Sequence, residues 1–424
     1  MNRSPAHPPV DSGASDDTAV TQVEAGTQGA ALPKLTTGLI MMFAFCCGAI
    51  VANIYYAQPL IALIAPDIGL SNHLASLIVS LTQVGYGVGL IFLVPLGDLL
   101  ENRRLMITTL LLSIICLAGA ATTHAPYPFL VLCMLIGFSS VSVQMIIPIA
   151  ATMADNASRG RVVGTVMSGL LFGILLSRPI ASLIADHFGW RAVFGFASVL
   201  MIAIVVLLGL VMPRRHPGHT STYGQLLVSL VTLLRRFALL RQRTFYQAMM
   251  FGTMILFWTA VPVELARHYG YSQSQIALFG VLGAAGIFFA PQVGRLADAG
   301  HSRLGTLVAM IMAVLSFLPS LLWPSLGVIG LGITAVVLDL SVQTSMVIGQ
   351  REIYGLDNAS RSRLNSIYVA GAFIGGSAGA AMASGILEQG GWVAIAIAGV
   401  VLVGMGLLKF LFDQRSTLRQ GSAQ

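Results

Sequence analysis

Charge is scarce in this chain. Asp, Glu, Lys and Arg make up 9% of its 424 residues, where a soluble globular protein carries about 25%. With 56% hydrophobic residues and a mean hydropathy of +0.84, water is excluded as the solvent for most of its surface. Segments of alternating polarity are missing, which excludes a membrane barrel and leaves helices as the spanning element. Cysteine is nearly absent too: Cys46, Cys47, Cys116 and Cys133 all lie inside apolar runs, so neither a disulfide framework nor a cysteine metal site is expected. They read as small packing residues. No histidine falls at mid-membrane depth, which argues against a histidine proton relay. The chain has no H-E-x-x-H, no G-x-x-x-x-G-K-[ST] and no G-x-S-x-G. Hydrolytic and ATP-driven chemistry therefore has no residues to run on, and neither an enzyme nor a cofactor is expected. No charged, short-cored leader opens the sequence, so the first span is expected to serve as the insertion signal.

What the chain does have is an internal repeat. Asp155-Asn156-Ala157-Ser158-Arg159-Gly160-Arg161 returns as Asp357-Asn358-Ala359-Ser360-Arg361-Ser362-Arg363, and Gly189-Trp190 returns at the same spacing as Gly391-Trp392. Pro59 has its counterpart in Pro262. Two similar halves follow, with each polar septet linking two apolar stretches. Twelve runs approach the roughly 20 residues that a helix needs to cross a core of about 30 Å. The expected class is an all-α membrane protein of two six-helix repeats. Residues 1–34, poor in large apolar side chains, form a disordered tail; 35–212 form the first half, 213–243 a link, 244–412 the second half and 413–424 a second tail. Within the link, Leu226, Leu227, Leu230, Leu233 and Leu234 share a helical face ahead of Arg235 and Arg236, the pattern of an amphipathic surface helix.

With both termini placed inside, 20 of the 23 Lys and Arg residues fall in the tails and in the links on that side, the bias that sets membrane orientation. The net charge of +7 thus reports topology and not a nucleic-acid partner. Glycines concentrate in spans two (Gly85, Gly87, Gly89), five (Gly164, Gly169, Gly173), eight (Gly280, Gly283, Gly286) and eleven (Gly371, Gly375, Gly376, Gly379). Small residues let helices approach closely in lipid, so these four spans are expected to form the seam between halves. Spans three, six, nine and twelve should face lipid, leaving one, four, seven and ten to line the interior.

Polar side chains inside hydrocarbon mark function or pairing. The interior spans carry Asn53, Tyr55, Tyr56 and Gln58 (span one), Gln144 (four), Trp258 (seven) and Asp339 with Gln343 one turn later (ten). Only Arg178 and Asp339 are fully charged and well inside spans. Asp339 is the leading candidate to carry a proton or read a cation; the alternative is a structural partner for a buried arginine. Arg178 keeps its charge, so it binds an anionic group, tunes a neighbouring carboxylate or simply pairs. Glu264 reads as a rim residue.

The link after span two, Gly97-Asp98-Leu99-Leu100-Glu101-Asn102-Arg103-Arg104, resembles the cytoplasmic signature of the major facilitator superfamily, and Gly294-Arg295-Leu296-Ala297-Asp298 with Arg303 resembles its weaker second copy. The resemblance covers about residues 35 to 412 and implies alternating access by rocking of two six-span halves. It implies that Gly97, Asp98, Arg103 and Arg104, with Arg361 and Arg363, gate the cytoplasmic end, Asp98 capping the start of span eleven. At a finer level the chain is similar to the twelve-span drug:proton antiporters among bacterial efflux permeases. Span five, with Gly169, Gly173 and Arg178-Pro179, resembles their Gly-Pro motif, although Arg178 stands where that motif has glycine. Cys133 likewise precedes Gly137 where antiporters usually place an arginine early in span four.

The resemblance leads to an expected proton-coupled secondary transporter of the bacterial inner membrane, a monomer with both termini cytoplasmic. It would export a small organic compound or drug by antiport, with the lipid bilayer, the substrate and the proton as partners. Asn53, Tyr56, Gln144, Trp258 and Gln343 would line the substrate site, and Asp339 with Arg178 would couple to protons. Uptake of a sugar, amino acid or organic anion is the alternative; a transporter-like sensor is another, though the short links hold no soluble signalling domain.

Overall fold

A computed structural model describes residues 36–155, 158–212, 222–284, 302–322, 326–357 and 360–421. The expected tail at 1–34, the start of the link at 213–221 and the weaker signature copy at Gly294, Arg295 and Asp298 lie outside the described residues. Every regular element among them is helical. The first half comprises α1 (Thr37–Ala52) with α2 (Ile61–Asp67), α3 (Leu77–Phe92), α4 (Asn102–Thr122), α5 (Pro126–Ser139) with α6 (Val143–Met153), α7 (Arg159–Phe188) and α8 (Trp190–Val211). The link contributes α9 (Tyr223–Arg236). The second half follows as α10 (Ala238–Arg267), α11 (Gln273–Gly280), α12 (Ser302–Leu315) with α13 (Leu318–Leu321), α14 (Gly327–Tyr354) and α15 (Arg361–Gly421).

Nine of these stretches are long and apolar enough to cross a membrane. One of them, α15, is two spans joined at Gly391. The broken pair α1 and α2 supplies a further span, and α11 starts another that leaves the described residues, so the architecture fits twelve. Ile115 on α4, Val199 on α8, Leu304 on α12 and Phe412 on α15 are exposed apolar side chains, the belt that spans three, six, nine and twelve present to lipid. By contrast, α10 is the most enclosed of the long helices.

The repeated motifs have physical jobs. Gly189 (φ 81°, ψ 159°) and Gly391 (φ 59°, ψ −159°) turn the chain between consecutive spans, a backbone region essentially reserved for glycine. The polar septets end spans: Arg159 Nε donates to the Ala151 carbonyl (3.1 Å) and Arg361 Nε to the Tyr354 carbonyl (3.2 Å). Each caps orphan carbonyls at a helix end.

The glycines act differently from the expectation. In α7, Gly169 and Gly173 pack on Ala44 and Gly48 of α1; a Cβ on Gly48 would lie 2.6 Å from the Gly169 carbonyl oxygen. In the second half, Gly375 and Gly379 of α15 pack the same way on Ala248 and Gly252 of α10. Gly85 and Gly89 of α3 meet α5 and the turn that follows it. These close approaches run within each half, not between halves. The halves do meet through spans two and eleven and through five and eight, with Gly87 of α3 facing Ala370 and Phe373 of α15 and polar groups beside it. Ser80 Oγ lies 2.9 Å from Ser377 Oγ and donates to the Ser377 carbonyl (3.0 Å). Ser76 Oγ reaches the Ala381 carbonyl (3.3 Å), and His73 Nδ1 sits 2.6 Å from Glu388. Gly280 of α11 faces Arg178 and Pro179 of α7, and Ser274 hydrogen-bonds Asp186. This ladder closes the halves together at the end of the bundle opposite the link helix α9.

Candidate functional site

The site begins with a break. The first span stops being α-helical at Asn53, where Ile54 and Tyr55 bond back only three residues, and it restarts at Gln58-Pro59. Proline cannot donate to the helix, and irregular backbone at membrane depth survives only where protein or a cavity covers it. The break turns Tyr55 and Gln58 toward the second half. In α10, Pro262 leaves the carbonyl four residues earlier, that of Trp258, without its helical donor. Tyr55 precedes Pro59 by four residues as Trp258 precedes Pro262. The two aromatic side chains are thus equivalent positions of the repeat.

Both rings flank one cation. The Arg178 guanidinium carbon lies 4.6 Å from the Trp258 ring centroid and 5.2 Å from that of Tyr55. Arg178 Nε donates to Gln58 Oε1 (2.9 Å), and Gln58 Nε2 donates to Thr259 Oγ1 (3.3 Å), which crosses from the first half to the second. The other edge of Trp258 carries the anion: its indole Nε1 donates to Asp339 Oδ1 (2.9 Å). Arg178 and Asp339 are each 6% exposed and are electrostatic neighbours, yet no ion pair within 4.0 Å joins them. Gly283 faces Asp339 Oδ2, where a Cβ would lie 2.9 Å away. The cluster sits nine to twelve residues from the ends of α7, α10 and α14 that lie opposite α9. That is about 14 to 18 Å of helix, near the middle of a hydrocarbon core of about 30 Å.

The structure therefore brings Trp258, Asp339 and Arg178 together and spreads the other expected residues around them. Asn53 turns to α8, its amide 3.3 Å from Met201 sulfur, while its Oδ1 is buried without a partner. Tyr56 is buried. Gln144 donates to the Tyr86 hydroxyl (3.0 Å) within the first half, and Tyr86 stacks on Phe373 of the second half at 4.4 Å. Gln343 is half-buried, one turn closer to the α9 end than Asp339. Among the described residues no group of His, Cys, Asp or Glu side chains is arranged to hold a metal ion.

At the α9 end, Gly97 lies in the turn Pro95–Asp98; the Asp98 side chain is outside the described residues. Arg103 donates to the Gly209 carbonyl at the end of α8, Arg104 pairs with Glu101 (3.1 Å) and Arg361 caps α14. Arg363 Nη1 donates to Ser229 Oγ of α9 (2.8 Å), while Tyr223 of α9 donates to the Phe92 carbonyl (3.0 Å). The link helix thus touches both halves.

Sequence reasoning missed Thr259 and the pairing of Tyr55 with Trp258. The proline register of the repeat carried the signal for the aromatic pair, and nothing singled out Thr259. Sequence reasoning also placed Arg243 in the link. The structure buries it in α10, where Nε donates to Glu352 (2.6 Å) and Nη1 to Thr306 (2.7 Å). Nothing in the spacing of these three residues announces that contact.

A model of the Major Facilitator Superfamily matches residues 40–351. The uncharacterized transporter YgaY of Escherichia coli O157:H7 is 38% identical over 376 residues, 88% of this chain and 95% of that one. The multidrug resistance protein MdtG of Escherichia fergusonii is 27% identical over 278 residues, 62% of this chain and 66% of its own. The solved nucleoside transporter NupG shares the fold at a TM-score of 0.71 and 12% identity, covering 88% of this chain and 98% of that one. With its all-helical two-half architecture and its buried charged cluster between the halves, the chain belongs to the Major Facilitator Superfamily and is a multi-pass membrane transporter.

Proposed function

We propose that this transporter exports a small organic compound in exchange for protons, alternating access across the bacterial inner membrane as a monomer with both termini cytoplasmic. The observation that carries the reading is the Arg178–Trp258–Asp339 cluster, a buried cation and a buried anion contributed by opposite halves and meeting on one indole. Rocking of the halves would separate its members, so occupancy of the cluster and the orientation of the transporter would be linked. Asp339 is the proposed proton carrier, exchanging its proton for a cationic group of the substrate, and Arg178 sets the field around it. Asn53, Tyr56, Gln144, Trp258 and Gln343 line the path. Gly97, Asp98, Arg103 and Arg104, with Arg361 and Arg363, form the cytoplasmic gate. The likeness to the multidrug resistance protein MdtG supports export of a drug-like compound, and the bias of Lys and Arg toward one side supports the orientation.

Purified protein in liposomes loaded with a pH-sensitive dye tests the reading. A cationic organic substrate added on one side should drive protons the opposite way. Asp339→Asn should abolish that flux while leaving the elution profile and melting curve intact. Unchanged substrate-driven proton flux in that variant would remove Asp339 from the coupling role.

A further inference from the structure

Arg178 and Asp339 are neighbours that decline to pair. Of the Arg178 nitrogens, only Nε donates a hydrogen bond to the described residues, leaving both Nη groups without one. Of the Asp339 oxygens, only Oδ1 is engaged among the described residues, by Trp258. Its Oδ2 has no hydrogen-bond partner among the described residues and packs beside Gly283, where even a Cβ would crowd it at 2.9 Å. The indole holds the two charges in different directions, the guanidinium over its face and the carboxylate at its edge. Each retains unused hydrogen-bonding capacity in a buried setting, where such capacity is normally satisfied. Apolar and aromatic groups, Tyr55 and Phe279 among them, surround the cluster.

A ligand with a single charge fits this poorly. A simple cation satisfies Asp339 and is repelled by Arg178; a simple anion does the reverse. In a site of low dielectric that repulsion is strong. A molecule carrying both charges a few bonds apart satisfies both, with its carboxylate forked by the Arg178 Nη groups and its ammonium on Asp339 Oδ2. We infer that the central site takes a zwitterion with the charge spacing of an α-amino acid and an apolar side chain. This rests on the reading of the cluster as the substrate site, and it fits proton exchange at Asp339, since the ligand's ammonium and a proton would compete for the same oxygen.

The test is binding, measured without any proton gradient so that it stands apart from the antiport reading. Full-length protein in nanodiscs is titrated by equilibrium dialysis with L-phenylalanine, its methyl ester (cation only) and N-acetyl-L-phenylalanine (anion only). L-Phenylalanine should bind at least tenfold more tightly than either analogue. Arg178→Gln should weaken L-phenylalanine at least tenfold and tighten the ester, which loses a repelling charge; Asp339→Asn should weaken L-phenylalanine similarly and tighten the N-acetyl compound for the same reason. Arg178→Lys, which keeps a charge, guards against loss through misfolding and should restore part of the affinity. Equal or tighter binding of the ester would overturn the zwitterion and leave cationic drug export standing. Tighter binding of the N-acetyl compound, or binding of none of the three, would overturn it as well. Tight L-phenylalanine binding with no substrate-driven proton flux would instead sustain the zwitterion and sink the antiport.

Discussion

Trp258 uses one ring for two partners: its edge donates to Asp339 and its face lies under Arg178. Phenylalanine would keep the face and remove the donor. A buried acceptor left without its partner costs about 1 to 3 kcal/mol, more when charged. Trp258→Phe should therefore lower initial transport rates in proteoliposomes by about tenfold or more while Trp258 neighbours such as Phe257→Leu cost less; equal rates in both variants would mean that the indole N–H is not needed. At the rim, Asp67 accepts from Arg191 and from Trp190 Nε1 (3.1 Å), and Arg191 holds the Asp67 carboxyl below the usual carboxylate range. Because the folded value is the depressed one, the pair stabilises the fold above the unfolded carboxylate range near about pH 4 and loses that contribution as pH falls further. Melting temperature in detergent should drop more steeply below pH 4 for the native protein than for Asp67→Asn. At this scale the sequence is informative wherever a charge interrupts an apolar run: Asp339 and Arg178 stand out because such residues are rare in spans. Gln58 and Thr259 do not stand out, because a lone amide or hydroxyl in a span usually bonds its own helix, and only the break at Asn53 turns Gln58 across to the other half.

The elements are joined by two kinds of glycine. Gly189 and Gly391 occupy a backbone region that any side chain strains, at about 1 to 3 kcal/mol each. Gly189→Ala and Gly391→Ala should each lower the melting temperature measurably, whereas Gly404→Ala, with open space at its Cβ, should not. Gly169, Gly173, Gly375 and Gly379 instead admit a neighbouring backbone; Gly173→Val and Gly379→Val should cost about 1 to 3 kcal/mol or more by overpacking and reduce the monodisperse fraction on size-exclusion chromatography. Equal behaviour of Gly379→Val and Gly404→Val would count against the close approach. The repeated Gly-Trp pair is legible in the sequence because its conformational demand is local. The partner of a packing glycine is not, since glycine spacing shows that a helix can be approached closely but does not name which helix approaches. For that reason the glycines of spans two, five and eleven fit equally well with a seam between halves, while the structure uses Gly85, Gly89, Gly169, Gly173, Gly375 and Gly379 inside each half and turns Gly87 across to α15.

For the whole molecule, the polar ladder of spans two and eleven is the feature that alternating access must break. Ser76, Ser80, Ser377 and the His73–Glu388 pair close the end opposite α9. These contacts are individually modest, roughly 0.5 to 1.5 kcal/mol for each neutral hydrogen bond, which suits a seam that opens and closes. The two-half plan itself was legible from the septet and Gly-Trp repeats, whereas a ladder of serines carries no signal in a single sequence. The Ser80 and Ser377 hydroxyl oxygens lie 2.9 Å apart, so a cysteine pair at these positions falls within reach of a sulfur–sulfur bond of about 2 Å. All four native cysteines are buried, which limits competing cross-links. Oxidised Ser80→Cys/Ser377→Cys protein should bind substrate yet stop transporting, and a reductant should restore the rate; either single variant should transport normally under both conditions. If the double variant forms its disulfide, verified by mass, and still transports at the native rate, the halves do not part along this seam. The ladder would then be a fixed hinge and the moving contacts would lie elsewhere, with spans five and eight, where Ser274 meets Asp186, the next pair to lock.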